Sequence, residues 1–99
     1  MYCIIWNYKV EANRQGAFEK EYSRTGTWFR FFESCEDFLG IELMKEIGKS
    51  SYLVIDKWSS KPEYEAFIKK NKAEYDELTR RFGSLYSEEQ KVGEYGVLQ

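Results

Sequence analysis

The chain contains no histidine in its 99 residues. Histidine is the commonest general base and the commonest metal ligand. Its absence excludes a Ser/His/Asp triad, an imidazole-bearing zinc site and a His-ligated haem. Cysteine is scarce too, and Cys3 and Cys35 lie too far apart for a C-x-x-C redox or zinc motif. Both are expected as free thiols that pack as small hydrophobes, since nothing suggests the oxidising compartment a disulfide needs. Positive charge is not in excess: 15 basic against 17 acidic residues leave a formal charge of −2. Without a basic stripe to release counterions, no nucleic-acid partner is expected. No apolar run approaches the roughly 20 residues of a membrane span, so no membrane partner is expected either. Met1 to Val10 has Asn7 and Lys9 inside a short apolar run and lacks the plan of a signal peptide. These absences predict a soluble, cytoplasmic protein.

What the chain has instead is aromatic surface, 18% of its residues, in strand-like and helix-like stretches alike. Such a chain can enclose a flat organic molecule. Residues 1–99 are expected to form one domain, long enough to bury roughly two thirds of the surface of the unfolded chain around a single core.

The first segment alternates Tyr2, Ile4, Trp6, Tyr8, Val10 against Cys3, Ile5, Asn7, Lys9, a strand covered on both faces and hence central. A helical pattern follows, with Asn13 as its N-cap and Ala17, Phe18 and Tyr22 on one side. Arg24-Thr25-Gly26 interrupts it, and Thr27 is expected to cap a second piece carrying Trp28, Phe29, Phe31, Phe32 and Cys35, wedged between two surfaces. A second strand from about Phe38 to Ile47 carries enough charge to be a sheet edge, and Gly48-Lys49-Ser50 turns it into a third, Tyr52 to Trp58, which is again central. Ser60 and Glu63 stand at capping-box spacing, with Pro62 in the first turn of a long helix. Its apolar side reads Tyr64, Phe67, Ile68, Tyr75, Leu78, Phe82, Leu85, with a break near Asn71 and i,i+4 pairs Glu65–Lys69 and Glu77–Arg81 on the wet side. Val92 to Leu98 supplies a fourth strand.

The order β, broken α, β, β, long α, β predicts an α+β, ferredoxin-like domain whose four-stranded antiparallel sheet carries both helices on one face. The other face then lies open although strands one and three are apolar on both sides. A homodimer through that sheet face resolves the conflict. Trp6, Tyr8 and Trp58 are expected at the sheet-to-sheet interface. Period two does not tell which face meets the helices, and with the faces exchanged they become pocket residues.

In order and spacing these pieces resemble the antibiotic biosynthesis monooxygenase family over nearly the whole chain. The matching stretches are Trp6 to Val10, Gly26-Thr27-Trp28 opening the aromatic piece, Phe38 to Leu43, Tyr52 to Ser59, Tyr64 and Phe67, Glu74 to Leu78, and Gly93-Glu94-Tyr95. The resemblance implies a dimeric α+β barrel with two such sheets packed face to face. It further implies cofactor-independent oxidation of planar quinol- or phenol-like aromatics by dioxygen, in a family many of whose members have no assigned activity. One branch degrades haem with an asparagine on the first strand, which Asn7 matches, and a tryptophan and a histidine on the second long helix. This chain has Phe67 and Ile68 in that region and no histidine, so haem degradation is not expected.

Asn7 and Tyr75 are the catalytic candidates under this reading, Asn7 as donor to a developing oxyanion. Tyr22, Trp28, Phe32, Tyr64 and Phe67 are the substrate-binding candidates, either lining a cavity or filling a plain core. Asn7 is equally read as an amide satisfied by a neighbouring group. Asp56, on a central strand, is read as paired with a Lys or Arg in preference to serving as a general base. The alternative to an oxygenase is a noncatalytic dimeric module that binds an aromatic metabolite or regulates an enzyme.

Overall fold

The structure is a computed structural model that describes Met1–Leu98; Gln99, the last residue of the expected domain, lies outside the described residues. Strand β1 (Tyr2–Lys9) is followed by a 3-10 turn (Ala12–Arg14), helix α1 (Gln15–Tyr22) and helix α2 (Thr27–Phe32). Strands β2 (Phe38–Lys45) and β3 (Ser51–Trp58) come next, then helices α3 (Lys61–Lys70) and α4 (Lys72–Phe82), a 3-10 turn (Gly83–Leu85) and strand β4 (Glu88–Gly96). The strands form one antiparallel sheet in the order β2-β3-β1-β4, so β1 and β3 are central and charged β2 is an edge.

Register decides which side chains share a face. Tyr2, Ile4, Trp6 and Tyr8 of β1 lie opposite Trp58, Asp56, Val54 and Tyr52 of β3, and Ile41 and Leu43 of β2 continue these rows. This is the face the helices cover. Tyr8 packs 5.2 Å from the Phe18 ring of α1, and Trp58 lies 5.3–5.5 Å from Phe32, Tyr64 and Phe67 of α2 and α3. Tyr8 and Trp58 are therefore core residues of one protomer, and the interface expected for Trp6, Tyr8 and Trp58 is corrected. Two helices cover large rings better than a second sheet does. The opposite row of Cys3, Ile5, Leu53 and Ile55 is smaller and aliphatic and tolerates partial exposure.

The local rules hold where a side chain enforces them. Ser60 caps α3, its hydroxyl accepting the Glu63 N–H, with Pro62 in the first turn. Asn71 divides α3 from α4, its Nδ2 donating to the Phe67 carbonyl at 2.9 Å. Where no side chain caps, the expected boundaries shift. Asn13 lies inside the 3-10 turn, Arg14 stands at the α1 N-cap without a side-chain capping bond, and Ala17 is exposed. Gly26 takes the α2 N-cap, and Thr27 is the first helical residue, donating instead to Glu21. A Cβ on Gly26 would strike the Lys20 and Glu21 carbonyls, so the α1–α2 corner requires glycine. The surface pairs formed are Lys72–Asp76 and Glu77–Arg80 rather than Glu65–Lys69 and Glu77–Arg81. Among the described residues no helix is long and apolar enough to cross a membrane.

Candidate functional site

A cavity lies between sheet and helices, and every layer contributes to it. β1 supplies Trp6 and Tyr8, β3 supplies Val54 and Asp56, and β2 supplies Ile41. Over these stand Tyr22 of α1, Trp28 and Phe32 of α2, Tyr64 of α3, and Tyr75 and Thr79 of α4, with Tyr86 at the approach to β4 and Glu89 on β4 itself. The rings brace one another: Tyr22 stacks on Phe18 at 4.3 Å, Trp28 on Phe32 at 5.8 Å, and Tyr75 meets Trp28 edge-on at 5.6 Å. The open volume is about 70 Å³, room for a few waters and about half of the roughly 150 Å³ of a cavity that takes up benzene, so a ring enters only when the lining side chains part.

Asp56 is the one charged side chain of the described core. Its β-sheet neighbours across the strands are Ile4 and Ile41, so neither flank offers a cation. No ion pair among the described residues includes it, and the cavity lining holds no Lys or Arg. The expected pairing with Lys or Arg is thus corrected. Burial pushes the Asp56 carboxyl up to about 7, and the neighbouring Trp6 side chain draws it back only in part.

The phenols are shifted in the same sense. Burial, the largest cause, raises Tyr8, Tyr22, Tyr64, Tyr75 and Tyr86 above the ordinary phenol value, with neighbouring carboxylates adding to it. They stay protonated near neutrality and serve as donors. Tyr8 spends its proton on Glu89 Oε2 at 2.8 Å. Trp28 Nε1 is buried with no partner, an N–H that an oxygen entering the cavity would satisfy. The arrangement offers an aromatic slot, several neutral donors, and a carboxyl poised between its two protonation states.

Five of the seven site residues expected from sequence, Tyr22, Trp28, Phe32, Tyr64 and Tyr75, line this cavity. Phe67 does not: it is buried beside it, 5.2 Å from Phe31 and 5.5 Å from Trp58. Asn7 does not either. With Trp6 and Tyr8 turned to the helices, strand alternation turns Asn7 to the opposite face, where its Nδ2 donates to Ser51 Oγ at 3.0 Å. The cavity role expected for Asn7 is corrected on that geometry, and the satisfied-amide reading is the one that stands. Trp6 and Tyr8 are pocket residues, as the sequence implies for exchanged sheet faces, whereas Tyr86 and Glu89 were not among the sequence candidates and follow an irregular helix exit that carries no pattern.

No protein-family model and no curated protein sequence matches the chain. Solved structures do match its fold over essentially its whole length. SnoaB, a cofactor-independent oxygenase from Streptomyces nogalater, crystallised as an asparagine-to-alanine mutant, superimposes with a TM-score of 0.72 at 16% identity, covering 99% of this chain and 93% of that one. A supposed antibiotic biosynthesis monooxygenase from Nitrosomonas europaea gives 0.70 at 16% identity, with both chains fully covered. The heme degrader MhuD from Mycobacterium tuberculosis, with two hemes in its active site, gives 0.68 at 20% identity over 100% of this chain and 97% of that one. The chain therefore has the fold of the antibiotic biosynthesis monooxygenase structures, as the sequence resemblance implies. Haem does not fit the residues present: an open volume of about 70 Å³ is far too small for a porphyrin, and the sequence holds no histidine to ligate iron. Among the described residues no three His, Cys, Asp or Glu side chains group to hold a metal ion.

Proposed function

We propose that the protein is a cofactor-independent monooxygenase of a small planar phenol or quinol. The observation that carries this is the cavity between sheet and helices, walled by aromatic faces and edged with phenol hydroxyls that remain donors. A flat electron-rich ring that parts these side chains would lie against Trp28, Phe32, Tyr22 and Tyr64, while Tyr75 donates to an oxygen of the substrate. No external reductant is required, because the substrate supplies the electrons. For hydroquinone, one dioxygen is consumed, one oxygen atom enters the ring to give hydroxybenzoquinone, and the other leaves as water. The likeness to SnoaB supports this reading at the level of fold.

The test is oxygen uptake with hydroquinone and with naphthohydroquinone above the rate in protein-free buffer, using isotopically heavy dioxygen. One dioxygen per quinol and one heavy atom in the product are expected. Unlabelled quinone with hydrogen peroxide would show an oxidase and sink the monooxygenase reading. The small volume of the cavity favours a second reading, a noncatalytic module that holds one aromatic ring. Saturable binding of hydroquinone with no uptake would establish that reading instead.

The open sheet face supports a homodimer. Ile5, Leu53 and Ile55 sit half-buried in its centre, and Met44 and Tyr95 are exposed beside them. Pairing two such faces under a two-fold axis would cover both.

A further inference from the structure

A carboxyl in a core without a cation must be neutralised by a proton, or meet one on something that enters. Asp56 is 8% exposed, and what exposure it has is to the cavity. The groups that line the cavity with it come from every layer. Trp6 and Tyr8 come from β1, Tyr22 from α1, Tyr64 from α3, Tyr75 and Thr79 from α4, Tyr86 from the approach to β4 and Glu89 from β4 itself, while β2, β3 and α2 add only Ile41, Val54, Trp28 and Phe32. None of these carries positive charge. The tyrosines are held protonated, and Glu89 is exposed and already accepts from Tyr8.

We propose that Asp56 is the proton acceptor of this cavity and that it restricts the substrate to an uncharged, hydroxylated aromatic ring. The inference rests on the oxygenase reading and deepens it. A carboxylated, sulfonated or phosphorylated ring would bring a second anion against an unpaired first one, in a space with no counter-charge. A neutral phenol brings a proton instead. The O–H bond of the substrate breaks, its proton goes to a carboxylate oxygen of Asp56, and the electron pair stays on the phenolate. The Tyr64 and Tyr75 hydroxyls then donate to that oxygen, stabilising the charge as it appears. The anion is the electron-rich form that reduces dioxygen. Carbon–oxygen bond formation gives a ring-bound peroxide, to which Asp56 returns its proton. Cleavage of the O–O bond with loss of the ring hydrogen releases water and leaves the hydroxyquinone. Atoms and electrons balance with dioxygen as the only co-reactant. A carboxyl that titrates close to neutrality suits both halves of the cycle, accepting and then returning a proton.

The experiment compares the full chain with Asp56→Asn, which keeps shape and loses basicity, and Asp56→Glu, which keeps basicity. Oxygen uptake is followed with hydroquinone and with hydroquinone sulfonate across the neutral pH range. In the parent, kcat/KM for hydroquinone should rise with pH through a single limb near 7 and exceed that for the sulfonate by at least about a hundredfold. Asp56→Asn should lower kcat by about a hundredfold or more with little change in KM and abolish the limb, and Asp56→Glu should restore part of the rate. If Asp56→Asn keeps the parent rate, Asp56 is not the acceptor and the oxygenase reading survives without it. Equal use of the sulfonate would overturn the substrate restriction. No uptake by the parent would end both readings together. Melting curves of the two variants show whether each is folded, and Asp56→Glu decides the role if Asp56→Asn is not.

Discussion

Burial holds the Asp56 carboxyl near 7, whereas in an unfolded chain it ionises near 4. Between those values the folded protein keeps a proton that the unfolded one has released, so stability falls as pH rises through this window and the whole penalty is present above about 7. A shift of some three units corresponds to roughly 4 kcal/mol as an upper bound. Asp56→Asn should therefore melt well above the parent at about pH 8 and close to it at about pH 4, by circular dichroism at both. A variant that melts lower at the higher pH would mean that the carboxylate has a partner. Asn7→Ala removes one hydrogen bond on the far face of the sheet. It should cost about 1 kcal/mol of stability in denaturant titration and leave turnover unchanged. Lost turnover would put Asn7 back in the mechanism. At this scale the sequence was half legible. Polar residues on central strands marked Asn7 and Asp56 as unusual, but a period of two does not say whether a cation reaches one or which face receives the other.

Elements whose ends are fixed by a particular side chain were legible residue by residue. Ser60 and Asn71 delimit α3 by bonds to backbone groups three or four residues away, with Pro62 presetting the first turn, and all three are written into local spacing. Ser60→Ala should lower stability by about 1 kcal/mol, read from a urea midpoint, and a null effect would mean that the Glu63 N–H is satisfied by water. The α1–α2 corner is set by space rather than by bonding. Gly26→Ala would force the helix start away from the Lys20 and Glu21 carbonyls. Because α2 carries Trp28 and Phe32 into the cavity wall, this change should lower both the melting temperature and the affinity for hydroquinone. A fully stable, fully binding Gly26→Ala protein would show that the corner can move freely. The start of β4 was not legible. The fourth strand begins at Glu88, four residues before the expected Val92, because Glu88 to Lys91 shows no apolar alternation. A register shift opposite Ile5 and Trp6 then re-phases the strand, so that Glu89 and Glu94 lie opposite Tyr8 and Ile4 on the covered face.

At the scale of the molecule, the order of elements and the central place of β1 and β3 follow from pattern alone, whereas the choice of covered face does not. Both faces of both strands are apolar, and only the sizes of the helix side chains above them select one. The unselected face remains a surface with Ile55 at its centre. Ile55→Glu should convert the proposed dimer to a monomer in light scattering without loss of helix content, whereas a parent that is already monomeric would remove the dimer from the account. The cavity, by contrast, is part of the core, and a ligand that fills it should raise the melting temperature of the parent with the logarithm of its concentration above Kd.

The positions of the three tryptophans also bear on how the protein can be observed. Trp6 and Trp28 border the cavity, while Trp58 is sealed beneath Phe32 and Phe38 with its ring edge to both. The chain thus carries two indoles whose emission should respond to an occupant and a third, set apart from the lining, to serve as an internal standard. Ligands can be titrated by their effect on intrinsic fluorescence before any product is known.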